Sequence, residues 1–520
     1  MNLRHIPGYF IICTLLFGGL ACRTQDNNIV TIANSDKFSS LDTISTTSPD
    51  SAADRVRVLM YNSLVKKNEN FEYVGDLAKD IKFGEDNLTV TFLLNDNVKF
   101  HNGKVLTSAD VKYTLDALFQ SGGYKGASFY DTVNNQKQPH ITSIDLPDAQ
   151  TAVIKVARPA LVNQLLSNLV TIPIIPEGTI EQQKTAPLGT GPFKFTKFDQ
   201  VNNSVELDAN PNYWEGAPKI QKLNIKTVTD ANSLQAELQT GRVDVAPNPT
   251  NFSADTFQSL EQNSNLQVVQ TDGSNVRYIG FNVSSKPIDD IKLRQAIAFA
   301  INREKIISDL LAGQAKVAHS ILPESAWSYA PGIKYSFDQN RARQLLQESG
   351  YKGEPVRFKV AAGNNAVSLY AQIIQNALKD VGINAEIETL ENNTLLEQLK
   401  LGQFQMNTSI WIGGNQDPIF LRDLFASGDS PDKKPGGRNR SRYSNLEFDK
   451  IVQEAVDSTD KAKSRELYIK AQEIVSRDLP LLPLWYPSNM VVASKRIGNI
   501  KINPSGDWGF IKDLTVEAPK

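Results

Sequence analysis

The sequence predicts an α/β fold in at least two lobes, and three observations carry that prediction. At 520 residues the chain is longer than one hydrophobic core usually supports. Between residues 338 and 387 a capped helix, a strand, a second helix and a second strand follow one another, the grammar of a βαβ unit in a parallel sheet. Residues 87–112 (NLTVTFLLNDNVKFHNGKVLTSADVK) place strand, turn and capped helix in a short stretch where every local signal agrees. Forty percent hydrophobic and 22% charged residues fit a globular body, and a net charge of −2 argues against a nucleic-acid binder, which carries a basic excess or a basic face.

At the N-terminus, Arg4 and His5 precede an apolar run over 9–17, then Gly18, Gly19 and Leu20-Ala21-Cys22. A positive start, an apolar middle and a small-residue exit read as a secretory signal over residues 1–21. The Cys directly after it resembles the bacterial lipobox, in which that Cys is lipidated and becomes the first mature residue; here Gly19 stands where the box usually has Leu. Lipidation of Cys22 and plain cleavage are both open, and both export the chain to the periplasm or cell surface. Cys13 falls inside the signal, so Cys22 is the only cysteine expected to remain, leaving no disulfide, Cys-based metal site or thiol nucleophile. No later run approaches the roughly 18 apolar residues of a spanning helix.

The elements then follow in order. Residues 29–33 (IVTIA) are a β-branched apolar run, a short strand, and Asn34-Ser35-Asp36 a loop. Leu88, Val90, Phe92 and Leu94 alternate with Thr89, Thr91 and Leu93 as in a half-buried strand. Asn95-Asp96-Asn97 supplies a turn, Val98 and Phe100 predict a short return strand completing a hairpin, and His101-Asn102-Gly103 a second turn. Thr107 as N-cap and Asp110 near N3 open a helix over 108–120. The polar, turn-rich stretches 122–126 and 134–138 predict a surface excursion before Ile141, and 144–156 reads as two strands around Pro147-Asp148. Leu293, Ala296, Ile297, Ala300 and Ile301 share one helix face, whose plain role is core packing. Asp338 caps a helix bearing Ala342, Leu345 and Leu346 that stops at Gly350. Val356, Phe358 and Val360 form a strand; Tyr370, Ile373, Ile374, Ala377, Leu378 and Val381 the next helix face, closed by Gly382; Ile383, Ala385 and Ile387 the following strand. A late helix with Leu467, Ala471, Ile474 and Val475 on one face leads into Pro480-Leu481-Leu482-Pro483-Leu484-Trp485.

Motifs at intervals along this framework share one resemblance. They are Val98-Lys99-Phe100-His101-Asn102-Gly103 with Thr107-Ser108-Ala109-Asp110-Val111-Lys112-Tyr113, then Pro187-Leu188-Gly189-Thr190-Gly191-Pro192-Phe193. Next come Asn210-Pro211-Asn212-Tyr213-Trp214 with Gly216-Ala217-Pro218, 238–245 (LQTGRVDV), Ile279-Gly280-Phe281-Asn282 with 290–303, and finally 480–485. In this order they resemble the family 5 extracellular solute-binding proteins of ABC importers, which include dipeptide-, oligopeptide- and nickel-binding members. Departures are Asn95 where Arg is frequent, Thr43 for Pro after Leu41-Asp42, and Gly75 for Pro before Leu77-Ala78.

The resemblance implies a two-lobed periplasmic-binding-protein-like fold (class II, cluster C type) with an extra N-terminal subdomain. Lobe I is expected from 22–55, 180–275 and 485–520, the extra subdomain packed on it from 56–179, and lobe II from 276–484, with crossings near 275 and 485. It implies capture of a peptide or peptide-like solute between closing lobes and delivery to ABC permease subunits by a monomer without cofactor, membrane contact being limited to the N-terminal lipid. The ligand residues it points to are Ser35, Asn282, Trp411, Gly413, Gly414, Asn415 and Asp417. In peptide-binding relatives the stretch 411–418 reads W-x-x-D-x-x-D-P, and its first Asp pairs with the ligand's α-ammonium; here that position is Gly414. Backbone groups around Ile412 and Asn415 remain able to pair with an extended ligand as an added strand. A non-peptide solute (sugar, opine or metal chelate) and a peptide sensor without its own permease stay open as alternatives.

An enzyme is not expected. The S-x-x-K spacing at Ser63/Lys66, Ser349/Lys352, Ser430/Lys433 and Ser458/Lys461 is a chance-level match with no K-T-G to accompany it. No G-x-S-x-G, H-E-x-x-H or Walker pattern is present. His101, His140 and His319 are scattered rather than ligand-spaced, and His101 reads as a turn residue. The basic stretch 433–442 (KKPGGRNRSR) reads first as a solvated loop and second as a contact for ligand or permease.

Overall fold

The computed structural model describes residues 29–133, 136–411, 417–434 and 436–517, so the predicted signal and Cys22 lie outside the described residues. Two large mixed sheets carry the architecture. The first has seven strands in the order Phe193–Asp199, Ser204–Ala209, Lys222–Thr227, Ile29–Asn34, Val245–Pro247, Asn489–Ser494 and Leu266–Thr271. Its Ile29–Asn34 strand runs parallel to both neighbours. Val30 and Ile32 face one core while Ala33 faces another. Burial on both faces explains why this strand reads as a continuous apolar run rather than an alternation.

The second sheet has six strands in the order Ala315–Val317, Leu481–Pro487, Val276–Phe281, Met406–Trp411, Val356–Ala361 and Ala385–Leu390. Val356–Ala361 and Ala385–Leu390 are parallel and joined by the Asn365–Val381 helix, the strand–helix–strand unit the periodicity predicts. That helix is capped by the Asn364 side chain and ends at Gly382 with φ +98°. Its buried face is Val367, Tyr370, Ala371, Ile374, Leu378 and Val381. Ile373, assigned to that face from sequence, is 42% exposed, because it lies roughly 110° round the helix from the middle of the packed stripe.

A smaller antiparallel sheet, Ala78–Phe83, Thr89–Leu94, Thr151–Val156 and Ile141–Asp148, carries the extra N-terminal elements. Val90, Phe92 and Leu94 are buried as the alternation requires. The predicted return strand at 98–100 does not form. Both edges of Thr89–Leu94 are taken, by Ala78–Phe83 and Thr151–Val156, so the hairpin partner is not the next segment in sequence. Residues 98–106 instead make a tight loop, closed by Leu106 N–H to Val98 O at 2.8 Å and Gly103 N–H to Phe100 O at 2.8 Å, with Val98 and Phe100 buried. The Ser108–Ser121 helix begins as expected: Thr107 N–H donates to Asp110 Oδ2 at 2.9 Å in a capping box. The excursion before Ile141 carries a short ribbon, Tyr130–Val133 with Gln136–Pro139. One continuous core runs from this small sheet into the seven-stranded sheet, joining Phe92, Leu115 and Leu165 to Val30, Leu223 and Trp508.

The chain leaves the seven-stranded sheet at Thr271, enters the six-stranded sheet at Val276, and returns between Pro487 and Asn489. These connections run side by side. A Cβ on Gly273 would lie 2.1 Å from Pro487 O, so only glycine permits the approach. Gln270 Nε2 donates to Ser488 Oγ at 3.0 Å across the same gap.

Candidate functional site

Besides the paired connections, the two halves meet where a ribbon from the N-terminal elements reaches the six-stranded half. Val65–Lys67 and Tyr73–Gly75 form this antiparallel ribbon. Its tip accepts across the gap: Trp327 N–H donates to Asn70 O at 3.2 Å, and the Lys461 ammonium pairs with the Glu72 carboxylate. Asn163 Nδ2 donates to Val456 O at 3.3 Å from a neighbouring helix.

Trp411 and Asp417 stand at this junction. Trp411 ends the Met406–Trp411 strand, pairs in register with Val276, and packs edge-on against Phe420 at 5.5 Å. Asp417 starts the turn into the Phe420–Phe425 helix: its Oδ1 accepts Ile419 N–H at 2.8 Å and its carbonyl accepts Phe420 N–H at 3.1 Å. Its Oδ2 accepts the Tyr73 hydroxyl in a short hydrogen bond, so Asp417 is both helix starter and link between the halves. Burial, then the facing Asp417 carboxylate, holds the Tyr73 hydroxyl well above its ordinary pKa, and the same two causes act on Tyr468. Gly413, Gly414 and Asn415 lie outside the described residues.

Ser35 and Asn282 are placed elsewhere. Ser35 is buried in the seven-stranded half, its Oγ 3.1 Å from Thr250 Oγ1 and accepting Thr250 N–H at 3.3 Å. Asn282, read from sequence as a ligand residue, has its side chain committed to the protein. Nδ2 donates to Gly402 O at 2.9 Å and Phe404 O at 3.1 Å, while Oδ1 accepts Ser284 N–H at 3.3 Å and Ser284 Oγ at 2.7 Å. Both donors and both acceptor positions of the amide are thus engaged within the protein. None of the described hydrogen bonds joins Ser35 or Asn282 to Trp411 or Asp417.

Sequence reasoning missed Lys67, Tyr73 and Tyr468. Nothing in the run 65–75 marks them: Lys66-Lys67 resembles any solvated pair. Yet Lys66 pairs with Glu215 at 2.8 Å and Asp76 at 3.6 Å, whereas Lys67 Nζ is buried over the Tyr73 ring, 4.8 Å from its centre. Burial outweighs the nearby Asp417 carboxylate and lowers the Lys67 pKa to about 8. Asp76, likewise buried, is raised to about 6 despite the Lys66 ammonium beside it.

His101 is more than a turn residue. Its Nε2 lies 3.0 Å from Gly191 O, its Nδ1 faces Gly189 N–H at 3.5 Å, and its backbone N–H donates to Gly189 O at 2.9 Å. These contacts hold a loop whose Gly191 and Phe193 N–H groups donate to Met60 O and Leu59 O, and burial lowers the imidazole pKa to about 4, so the ring is neutral. In the basic stretch 433–442, Lys433, Lys434 and Arg438 are exposed to solvent, while the C-terminal end is tied down. Arg442 Nη1 donates to Leu399 O at 3.0 Å and Arg440 O at 2.7 Å, its Nε pairs with Asp432 at 3.1 Å, and Asn439 is fully buried.

Among the described residues no three His, Cys, Asp or Glu side chains come together to hold a metal ion, and no helix is long and apolar enough to cross a membrane.

Comparison with known proteins agrees with this architecture. The oligopeptide-binding protein AppA of Bacillus subtilis is 28% identical over 484 residues, covering 88% of this chain and 87% of its own. Heme-binding protein A of Haemophilus influenzae is 28% identical over 483 residues, covering 87% and 86%. The crystal structure of the ABC transporter substrate binding protein CtaP from Listeria monocytogenes superposes with a TM-score of 0.82 at 21% identity, over 94% of this chain and 99% of that one, which establishes the two-lobed α/β fold. Residues 72–432 match the family described as bacterial extracellular solute-binding proteins, family 5 middle. The chain therefore belongs to family 5 of the bacterial extracellular solute-binding proteins.

Proposed function

We propose that this protein captures a peptide or peptide-like solute between its two lobes and hands it to the permease of an ABC importer. One observation carries the reading: two adjacent connections, at 272–275 and at 488, join the lobes, and a separate set of polar contacts centred on Tyr73 and Asp417 also bridges them. A body whose halves are joined by two short connections and can make further contacts with each other closes around whatever adds contacts to both faces, and the solute shifts the population toward the closed form by its differential affinity. The moving lobe runs from 276 to the end of the Leu481–Pro487 strand. Lobe I is 22–55 and 180–275 with the C-terminal residues after 487, and 56–179 is the extra subdomain whose ribbon supplies the grip. The protein works as an exported monomer without catalysis, held at the membrane by a lipid on Cys22.

Native mass spectrometry of the mature protein, followed by denaturing analysis of what co-purifies, tests the solute class. A mixture of short peptides supports the peptide reading, and a single non-peptide mass overturns it. Gly414 in place of the family's ammonium-pairing Asp favours that second reading of a non-peptide solute. Gly414→Asp separates the two: in a peptide-shaped cleft it raises affinity for peptides with a free amino terminus by about tenfold, the worth of one charge-assisted pair, by calorimetry. Unchanged affinity shows that the cleft is not shaped for a peptide main chain. Cys22→Ser tests the anchor. The variant should move from the membrane fraction to the soluble fraction, and an unaltered distribution means that the lipid is not what holds the protein.

A further inference from the structure

Lys67 is the last residue of the Val65–Lys67 strand, and its ammonium is buried at the contact between the lobes without a hydrogen-bond partner among the described residues. The two lysines of this strand differ in kind. Lys66 points outward and is satisfied by Glu215 and Asp76, whereas Lys67 lies against the Tyr73 ring. The carboxylate whose charge reaches Lys67 is Asp417, but its oxygens are turned to other donors, Oδ1 to Ile419 N–H and Oδ2 to the Tyr73 hydroxyl, and neither hydrogen-bonds the Lys67 ammonium. Tyr73 is fixed in turn, its hydroxyl also hydrogen-bonded to Ser167. The aromatic face offsets part of the desolvation of the ammonium and accepts none of its hydrogen bonds.

A buried, unpaired ammonium is among the costliest features a fold can carry, and that cost is recovered when an anion arrives to share it. The surroundings suit that arrival. Tyr73 and Asp417 hold each other in place, so an incoming group meets a fixed wall and a cation without a hydrogen-bond partner among the described residues, with little ordering left to oppose binding. Lysine presents its charge as a compact point with three rotatable donors, which suits a monodentate acidic group entering from one side.

We propose that Lys67 is an anion-binding residue of the interlobe site, and that the captured solute carries a side-chain carboxylate, distinct from a peptide's terminal one, which sits on the Lys67 ammonium beside Tyr73 and Asp417. The proposal deepens the peptide reading and depends on it only for the scaffold that bears the carboxylate. The pKa of about 8 leaves Lys67 mainly charged at neutral pH, as an anion receptor must be.

Calorimetry on the full-length mature protein, stripped of co-purified solute, tests this with tripeptides carrying Glu or Gln at each position in turn. Wild type should prefer the best Glu tripeptide over its Gln counterpart by about tenfold or more, the scale of one charge-assisted hydrogen bond. In Lys67→Met that ratio should collapse to about one; methionine keeps the apolar stem and removes a buried charge, so the variant should melt no lower than wild type. An equal ratio in both proteins, or no Glu preference in wild type, overturns the proposal. If no tripeptide binds at all, the peptide reading fails and the Lys67 proposal is read separately. Succinate and glutarate should then raise the melting temperature of wild type and not of Lys67→Met; identical shifts, or none, overturn it.

Discussion

Gly191→Ala should cost on the order of 4 kcal/mol or more of folding stability, the range of severe overpacking against backbone. A Cβ at this position would lie 2.4 Å from Met60 C, 2.5 Å from Tyr61 N and 2.8 Å from Leu59 O. Every obstacle is main chain, so no rotamer change relieves the clash. Moving the loop away breaks Gly191 N–H to Met60 O at 2.9 Å and Phe193 N–H to Leu59 O at 2.9 Å. It also strips Gly191 O of Asn210 Nδ2 at 3.1 Å and of the His101 ring. Gly428→Ala is the matched control, because nothing lies within 4 Å of its added Cβ and its φ is ordinary. Urea denaturation of both variants reads the difference. Equal midpoints would mean that the 189–193 loop is not pressed on 59–61.

Acid should release the same clamp through His101. Its folded pKa, about 4, lies below the ordinary 6.5, so the fold favours the neutral ring. The stabilisation is therefore complete above pH 6.5 and is lost as pH falls through about 4, a swing on the order of 3 kcal/mol. The hydrogen bonds say why. Nε2–H donates to Gly191 O, so Nδ1 must be the unprotonated nitrogen facing Gly189 N–H, and a proton there sets donor against donor. Unfolding of wild type and His101→Asn, followed from pH 7 to pH 4, should show their stability gap narrowing steadily. A gap that stays constant across that window would assign the acid sensitivity to other groups.

These two predictions concern a motif that the sequence displays openly and whose reason it conceals. The run Pro187–Phe193 stands out as a motif, but nothing in it names Met60 and Tyr61 as the wall that forbids a side chain. Asn282 shows the same limit from the other side. It sits in a conspicuous Gly-Phe-Asn run, and only its neighbours reveal that its amide ties Gly402, Phe404 and Ser284 together. Lys67 is the reverse case, unremarkable in sequence and distinguished by burial alone.

What the sequence by itself determined is what depends on near neighbours along the chain. The half-buried alternation of Thr89–Leu94, the capping box of Thr107 and Asp110, the left-handed stops at Gly350 and Gly382, and the parallel pairing across the Asn365–Val381 helix all follow from short-range periodicity, caps and crossover length. What only the tertiary structure decided is pairing at a distance. Thr89–Leu94 chose Ala78–Phe83 and Thr151–Val156 over the adjacent 98–100, and Tyr73 found Asp417 some 344 residues away. The physical reason is common to both. A strand edge or a buried polar group must be satisfied, but its local sequence specifies only that a partner is required, and which partner arrives depends on how the whole chain closes.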